Sequence, residues 1–131
     1  MNFSADLSEL NSVLVYIRER LESVSCTERA VMEIQIAAEE VFVNIARYAY
    51  GTGDGKVSVD AQVTSETAVI TFSDGGTPFD PLKKADPDIT LPVSERAVGG
   101  LGIFMAKKLM DNISYEYRDG QNVLTMKKIL A

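Results

Sequence analysis

The stretch KVSVDAQVTSETAVITFSDGG, residues 56–76, decides the fold class of this chain. Its first half alternates apolar and polar residues between positions 57 and 63, as a half-buried strand requires. Its second half, TAVITFS at residues 67–73, is more continuously apolar and predicts a more deeply buried strand. Thr64-Ser65-Glu66 joins the two strands as a tight turn, and Asp74-Gly75-Gly76 ends the second one.

Helical patterns lie on both sides of these strands. Apolar residues three and four apart between positions 7 and 21 predict a first helix, which Asp6 can cap. Ser25-Cys26-Thr27-Glu28 matches a capping box and predicts a second helix that runs to about Tyr50. Residues 100–111 fit a third helix. The chain is therefore predicted to contain three helices.

Strand patterns return after the third helix. Residues 113–117 alternate as a strand does, Asp119-Gly120 is a hairpin signal, and VLTMKKIL at residues 123–130 closes the sheet. Met1-Asn2-Phe3 adds a short edge strand. Together with the two strands described above, the sequence predicts a sheet of at least four strands.

Length and composition predict a single domain over residues 1–131. A chain of 131 residues suits one core, and 46% apolar with 24% charged residues is ordinary for a globular protein. No apolar run approaches the roughly 18–20 residues that span a bilayer. Acidic residues stand near the N-terminus, where a secretory signal carries positive charge. We therefore expect a cytoplasmic protein without a membrane partner.

The charge and the residue types exclude several classes of function. The formal net charge is −6, and an acidic body repels nucleic acid, so we expect no nucleic-acid partner. The chain has no histidine, which excludes Ser-His-Asp and Cys-His catalysis and a histidine-ligated zinc. Its single cysteine, Cys26, cannot form an internal disulfide. Proton transfer near neutral pH then falls to Asp, Glu, Lys, Tyr or Cys.

Three short motifs carry the functional signal, and they are EExxxN within AEEVFVNIARYAY (residues 38–50), DGGTPFDP (residues 74–81) and GGLGIFMAKK (residues 99–108). In the first motif, Glu40 and Asn44 are four residues apart and project from one face of the second helix. Glu40 can accept a proton from a hydroxyl or water, and the Asn44 side-chain oxygen suits magnesium. The alternative is an ordinary polar pair on a solvated helix face. Glu39 and Arg47 are interpreted as surface residues.

The second motif places an acidic turn directly after the buried strand. Its glycines allow close backbone approach, while the Asp74 carboxylate stands at the end of the strand. An ionised carboxylate only accepts hydrogen bonds, so it suits the exocyclic amine of adenine and matches the carbonyl of guanine poorly. The alternative is a plain Asp-Gly turn that links the strand to a loop.

The third motif is a glycine-rich helix start. Around Gly100 and Gly102, free backbone N–H groups and the positive end of the helix dipole form an anion site that phosphate can approach closely. The alternative is a plain first turn that packs on the sheet. On the last strand, Thr125 has two interpretations: a contact to a bound base, or simply a residue that favours strands.

The stretch from Asp74 to Val98 has no periodicity and holds all four prolines of the chain. A connection this long inside a compact domain is usually a lid, a binding loop or a disordered segment. Because it lies between the second and third motifs, we interpret residues 74–98 as a mobile cover over a ligand.

In this order and at these separations, the three motifs resemble the N, G1 and G2 boxes of the GHKL ATPases, the superfamily of the gyrase, Hsp90, histidine kinase and MutL ATP-binding domains. The EExxxN helix and the DxGxPFDP box are most similar to the bacterial anti-sigma-factor serine/threonine kinases. The resemblance implies an α/β two-layer sandwich (α+β), with helices packed on one face of a mixed, mostly antiparallel sheet. The predicted helices and strands agree with this Bergerat-type ATP-binding fold.

The resemblance also implies roles for individual residues. Glu40 matches the general base of the family, and Asn44 matches its magnesium ligand. Asp74 matches the carboxylate that reads adenine, and Gly76 matches the position that lets the base approach. ATP or ADP together with Mg²⁺ are the implied cofactors.

Further roles lie in the lid and the third box. Gly100 and Gly102 match the phosphate-facing glycines, and Arg96 falls near the place where related kinases contact a phosphate or a partner. One position departs from the family pattern, because this chain has Tyr48 where family members commonly carry a histidine.

The sequence therefore supports three hypotheses. The first is a serine/threonine protein kinase of the anti-sigma type, whose implied partners are a sigma factor, a STAS-type antagonist protein or both. The second is a non-catalytic ATP- or ADP-sensing module that controls a protein partner. The third is a small scaffold that binds no nucleotide. The resemblance is also compatible with a homodimer.

Overall fold

The computed structural model describes residues 1–48, 55–83 and 100–130. Within these ranges the helices and strands follow in this order: β1 (Asn2–Ser4), α1 (Leu10–Glu22), α2 (Glu28–Tyr48), β2 (Lys56–Val63), β3 (Thr67–Asp74), α3 (Gly100–Leu109), β4 (Asn112–Arg118) and β5 (Gln121–Ile129). The predicted end of the second helix near Tyr50 lies outside the described residues. Among the helices that are described, none is both long enough and apolar enough to cross a membrane.

The strands form one sheet in the order β1-β2-β3-β5-β4. Strand β3 lies at its centre between β2 and β5, and Asp74 at the end of β3 is level with Val57 on one side and Asn122 on the other. Every pairing that the structure describes is antiparallel. The predicted mostly antiparallel sheet is confirmed, and no parallel pair appears among the described strands.

One face of the sheet is buried beneath the helices. Along β3 every second side chain is buried, and these side chains belong to Ala68, Ile70, Phe72 and Asp74. The three apolar ones pack into one core with buried apolar residues of α1 and α2, while α3 packs against α2. Because apolar residues in strands alternate between faces, a sheet with this pattern needs a helical layer on one side only. The predicted two-layer sandwich is confirmed.

The two turns predicted within the sheet are present. The Thr64 backbone N–H donates to the Thr67 carbonyl oxygen at 2.8 Å, which closes the tight turn between β2 and β3. Between β4 and β5, Asp119 and Gly120 have φ angles of 54° and 78°. Two consecutive positive φ angles match the right-handed twist of a hairpin, which explains why the Asp-Gly pair predicts this turn.

The two predicted helix starts had different outcomes. Asp6 Oδ1 accepts from the Ser8 N–H at 2.8 Å and caps a 3-10 turn that leads into α1, so this cap is confirmed. In α2, Thr27 Oγ1 accepts from the Ala30 N–H at 3.1 Å. Thr27 is therefore the cap residue, and the predicted capping box that begins at Ser25 is wrong because a second hydroxyl residue caps the helix two positions later.

Candidate nucleotide site

A cleft opens between α2, the neighbouring ends of β3 and β5, and the segment that follows β3. It holds about 380 Å³ of space, counting the part that is open to solvent. Apolar side chains form most of its wall, and they belong to Val41, Ile45, Phe72, Phe79, Pro81 and Leu124. Polar groups come from Asn44, Asp74, Thr77, Tyr115 and Asn122. Apolar walls with a few fixed polar groups suit a flat ligand with a polar edge.

Asp74 lines this cleft from the end of β3, and only 4% of it is exposed. Its Oδ1 accepts from the Gly76 backbone N–H at 2.9 Å and from Asn122 Nδ2 at 3.0 Å. The bond to Gly76 closes an Asx turn, which is the Asp-Gly turn that the sequence predicts. Two donors on one oxygen fix the orientation of the carboxylate, and hydrogen bonds to a charged acceptor are the stronger kind.

Asn122 connects Asp74 to the rest of the cleft and is itself 6% exposed. Besides the bond to Asp74, its Nδ2 donates to the Thr77 carbonyl oxygen at 3.0 Å. Its Oδ1 accepts from the Phe79 backbone N–H at 3.1 Å and from the Tyr115 hydroxyl. A single side chain therefore joins β3, β4, β5 and the segment after β3.

The Tyr115 hydroxyl keeps its proton over a wider pH range than an ordinary tyrosine. Burial raises the pKa of Tyr115, the Phe79 backbone N–H lowers it in part, and the nearby carboxylates of Asp80 and Asp74 raise it further. A raised pKa favours the neutral phenol, which can donate a hydrogen bond. Tyr115 therefore serves as a donor to Asn122 throughout the neutral range.

Glu40 and Asn44 lie one turn apart on α2, as predicted, but their surroundings differ. Asn44 is buried and lines the cleft, whereas Glu40 is half-buried and is not among the lining residues. Burial raises the pKa of Glu40, the neighbouring Glu39 raises it further, and Arg47 lowers it in part. A carboxylate whose pKa is raised is a stronger proton acceptor than an ordinary one.

The first turn of α3 carries the two glycines of the third motif. Gly100 is the first residue of this helix and Gly102 the third. The first four N–H groups of a helix lack an acceptor within it, so this turn offers donors to an anion. Ile103 is buried in the next position and α3 packs against α2, which holds the turn in place. Arg96 and the part of the predicted lid from residue 84 to 98 lie outside the described residues.

Thr125 does not line the cleft. Its neighbours Leu124 and Asn122 on β5 do, and side chains along a strand alternate between the two faces of the sheet. Thr125 is therefore on the opposite face, where it pairs with Thr71. A contact between Thr125 and a bound base stays a prediction, and this geometry favours the alternative, a residue that simply favours strands.

Three polar residues of the cleft, Thr77, Tyr115 and Asn122, were not predicted from the sequence as site residues. Asn122 is 48 positions from Asp74 along the chain, and only strand pairing brings the two together. A signal was present nevertheless. Strand β5 begins directly after the Asp119-Gly120 turn, and the beginning of a strand lies beside the end of its antiparallel neighbour.

The cleft side chains suit a magnesium ion that is coordinated mainly by a bound substrate and by water. Among the described residues, no group of three or more Asp, Glu, His or Cys side chains is arranged to hold a metal. Asn44 offers one hard oxygen on the cleft wall. Mg²⁺ usually keeps several waters and takes one or two protein ligands together with substrate phosphates, so this arrangement is compatible with the ion.

Solved structures show the same fold. One of them is the crystal structure of the RsbU and RsbW domains of Rv1364c from Mycobacterium tuberculosis. It matches 99% of this chain with a TM-score of 0.66 at 16% identity. This chain spans 32% of that protein chain. The catalytic domain of the histidine kinase ThkA matches 99% of this chain and 96% of its own length, with a TM-score of 0.57 at 16% identity.

Curated relatives and a family profile extend the comparison to sequence. The serine-protein kinase RsbW of Listeria innocua is 30% identical over 105 residues, which cover 76% of this chain and 67% of that protein. The protein of the same name from Bacillus cereus is 30% identical over 103 residues, which cover 76% and 64%. The profile of the Histidine kinase-like ATPase domain matches residues 3–128. With the fold, the motifs and this profile in agreement, the chain belongs to the histidine kinase-like ATPase domain family.

Proposed function

We propose that this chain is a serine/threonine protein kinase of the anti-sigma type, which uses Mg-ATP to phosphorylate a serine of a small STAS-type antagonist protein and thereby regulates a sigma factor. The observation that carries the proposal is a buried, hydrogen-bonded Asp74 carboxylate in an apolar cleft that also contains Asn44. The relatives named serine-protein kinase support serine as the acceptor.

Recognition of the base rests on Asp74. Its Oδ1 already accepts from Gly76 and Asn122, so we assign Oδ2 to the exocyclic amine of adenine. Guanine would present a carbonyl oxygen at this position, and two acceptors facing each other repel. Apolar side chains of the cleft wall, such as Ile45 and Phe72, would cover the faces of the base.

We assign the metal to the first motif and the phosphates to the third. Asn44 would hold Mg²⁺ through its side-chain oxygen, together with phosphate oxygens of the nucleotide and water. When bound, the ion would neutralise negative charge that develops on the transferring phosphoryl group. The backbone N–H groups around Gly100 and Gly102 would bind phosphate oxygens at the positive end of α3.

Glu40 would serve as the base for phosphoryl transfer. The substrate serine hydroxyl would give its proton to the Glu40 carboxylate while its oxygen forms a bond to the γ-phosphorus. The bond between that phosphorus and the bridging oxygen breaks, and ADP leaves with the bridging electron pair. Burial raises the pKa of Glu40, which strengthens it as a proton acceptor.

A second function is favoured by one observation. Glu40 is not among the residues that line the cleft, whereas Asn44 and Asp74 are. A chain that binds the nucleotide in this cleft without transferring phosphate would be an ATP- or ADP-sensing module. Nucleotide would then change its affinity for a protein partner, and that change would persist in Glu40→Ala.

One experiment separates these functions. The purified protein is incubated with labelled Mg-ATP and a co-encoded antagonist protein, and both the label on the antagonist and its binding to the chain are measured. Label on the antagonist supports the kinase. Nucleotide-dependent binding without any label contradicts the kinase and supports the sensing module. If calorimetric titration with Mg-ATP and Mg-ADP gives no signal for either, both functions are contradicted.

A further inference from the structure

The side-chain amide of Asn122 is engaged at both ends. Its Nδ2 donates to Asp74 Oδ1 and to the Thr77 carbonyl oxygen, both at 3.0 Å, and the Gly76 carbonyl oxygen lies 3.4 Å away. Its Oδ1 accepts from the Phe79 N–H and from the Tyr115 hydroxyl. Buried polar groups with this many partners are expensive to disturb, because a lost partner leaves a desolvated group unsatisfied.

The partners also determine which way the amide points. A backbone N–H such as that of Phe79 only donates, so the atom that faces it must be the Asn122 oxygen. The nitrogen must then face Asp74 and the Thr77 carbonyl oxygen, which only accept. The Tyr115 hydroxyl strengthens this orientation because it donates to the same Asn122 oxygen.

A fixed amide has a direct consequence for the Asp74 carboxylate. Asn122 and the Gly76 N–H together hold Oδ1, so rotation of the carboxylate would break two charge-assisted hydrogen bonds. The same amide ties down the segment from Gly76 to Phe79, which forms one wall of the cleft. Base discrimination needs this kind of fixed orientation, because a carboxylate that can rotate or take a proton can also match other bases.

We propose that Asn122 is the positioning residue that sets the preference of the cleft for adenine over guanine, with Tyr115 holding Asn122 in the required orientation. This inference rests on the proposed nucleotide binding. It goes further, because it assigns the specificity to a side chain that contacts Asp74 and to the hydrogen-bond direction that this side chain imposes.

The test compares two nucleotides in one variant. Affinities for Mg-ADP and Mg-GDP are measured by calorimetry for the wild-type chain, for Asn122→Ser and for the control Gln121→Ser, whose exposed position precedes Asn122 on β5. Loss of a hydrogen bond to a charged group should lower the preference for Mg-ADP by about ten- to hundredfold in Asn122→Ser. Gln121→Ser should keep the wild-type preference.

The ratio of the two affinities distinguishes positioning from a merely structural role. If Asn122→Ser weakens Mg-ADP and Mg-GDP equally, the residue only supports the cleft and the inference is overturned. It is also overturned if both affinities stay at the wild-type values. If the wild-type chain binds neither nucleotide, the proposed nucleotide binding fails first and this inference falls with it.

A second variant covers the case in which Asn122→Ser does not fold. Asn122→Asp keeps the side-chain shape but places a second carboxylate about 3.0 Å from Asp74 Oδ1. Two carboxylates this close share a proton, and the protonated pair restores an O–H donor toward Asp74. Mg-ADP affinity of Asn122→Asp should therefore rise by about tenfold as the pH falls from alkaline to mildly acidic values.

Several titratable groups act on Tyr115, the hydrogen-bond partner of Asn122. Among the described residues they are Asp74 on β3, Asp80 in the segment after β3, and Tyr117 on β4. The lining residues from α2 are not titratable. The wild-type chain should not show the rise in affinity toward acidic pH, because its donor to Asp74 is an amide. Parallel pH profiles for the wild-type chain and Asn122→Asp would overturn the inference.

Discussion

The two ends of the proposed site are built in different ways. The base-reading end, which we define as Asp74, Asn122 and Tyr115, lies on three neighbouring strands that hydrogen bonds join side chain to side chain. The transfer end, which we define as Glu40 and Asn44, lies on one helix, and Glu40 is half-buried beside the cleft. Recognition of a nucleobase needs hydrogen-bond acceptors in fixed positions. Phosphoryl transfer to a protein needs a proton acceptor that the second protein can reach.

Because of this difference, substitutions at the two ends should affect different properties of the protein. At the base-reading end, substitutions of Asp74 or Asn122 remove hydrogen bonds of buried groups, so they should lower stability as well as the proposed nucleotide binding. Glu40 at the transfer end makes its proposed contribution only when a substrate serine is present. Substitutions there should change the reaction and leave nucleotide binding and the fold intact.

The largest expected effect is on transfer. Glu40→Gln should lower the rate of phosphoryl transfer by about 10²–10⁴-fold, because the amide cannot accept the serine proton. Mg-ADP affinity should stay within about twofold of wild type, since Glu40 does not line the cleft. Single-turnover assays with labelled ATP measure the rate, and Glu39→Gln, the neighbouring acid, is the control. An equal loss in rate and in Mg-ADP affinity would mean that Glu40 acts in nucleotide binding and not in phosphoryl transfer.

Asn44 should show a metal-dependent effect. Asn44→Leu removes the proposed oxygen ligand, and affinity for Mg-ATP should fall by about ten- to hundredfold. Affinity for ADP in the absence of magnesium should change much less, because the leucine side chain occupies about the same space in the cleft wall as the asparagine. Paired calorimetric titrations with and without magnesium give the two values. The same loss under both conditions would argue that Asn44 contacts the nucleotide itself.

A smaller effect concerns stability and pH. Folding raises the pKa of Glu40, so the folded chain holds this proton more tightly than the unfolded chain does. Ionised Glu40 therefore lowers stability above its unfolded pKa, and Glu40→Gln should raise the Tm slightly at about pH 7. At about pH 4 the carboxyl is largely protonated in both states, and the gain should disappear. Thermal melting at both pH values checks this, and a lower Tm for Glu40→Gln near neutrality would contradict it.

The smallest effect is expected at Thr125. Thr125→Ala should leave Mg-ADP affinity within about twofold of wild type, because Thr125 is on the sheet face opposite the cleft. Calorimetry on this variant beside Asn122→Ser compares two positions of the same strand that point to opposite faces. A strong loss in Thr125→Ala would mean that the base binds elsewhere.

The sequence predicted the parts of the molecule that depend on local patterns. Alternation along β2 and β3, the Asp119-Gly120 turn and the apolar spacing of the helices each involve residues that are close in the chain. Asp74 belongs to this group because an Asp-Gly-Gly turn after a buried strand identifies its position at the end of β3.

Strand pairing was beyond the reach of the sequence. Chemistry alone made Thr125 a candidate, since a hydroxyl on the last strand can bind a base. The strand register argues against that role, because side chains one or three residues apart on a strand lie on opposite faces of the sheet. Asp74 pairs with Asn122, so Asn122 lies in the cleft and Thr125 does not. The cap of α2 was ambiguous for a local reason, because Ser25 and Thr27 are both good cap residues.

Titration of Mg-ADP into the wild-type chain and into Asp74→Asn tests the central claim, that the Asp74 cleft binds adenine nucleotide. We expect binding to the wild-type chain and a loss of about hundredfold or more in Asp74→Asn, because an amide places a donor where an acceptor is needed. Asp60→Asn, at an exposed position on β2, should bind as the wild type does. Unchanged affinity in a folded Asp74→Asn, or no binding to the wild-type chain, would contradict the claim.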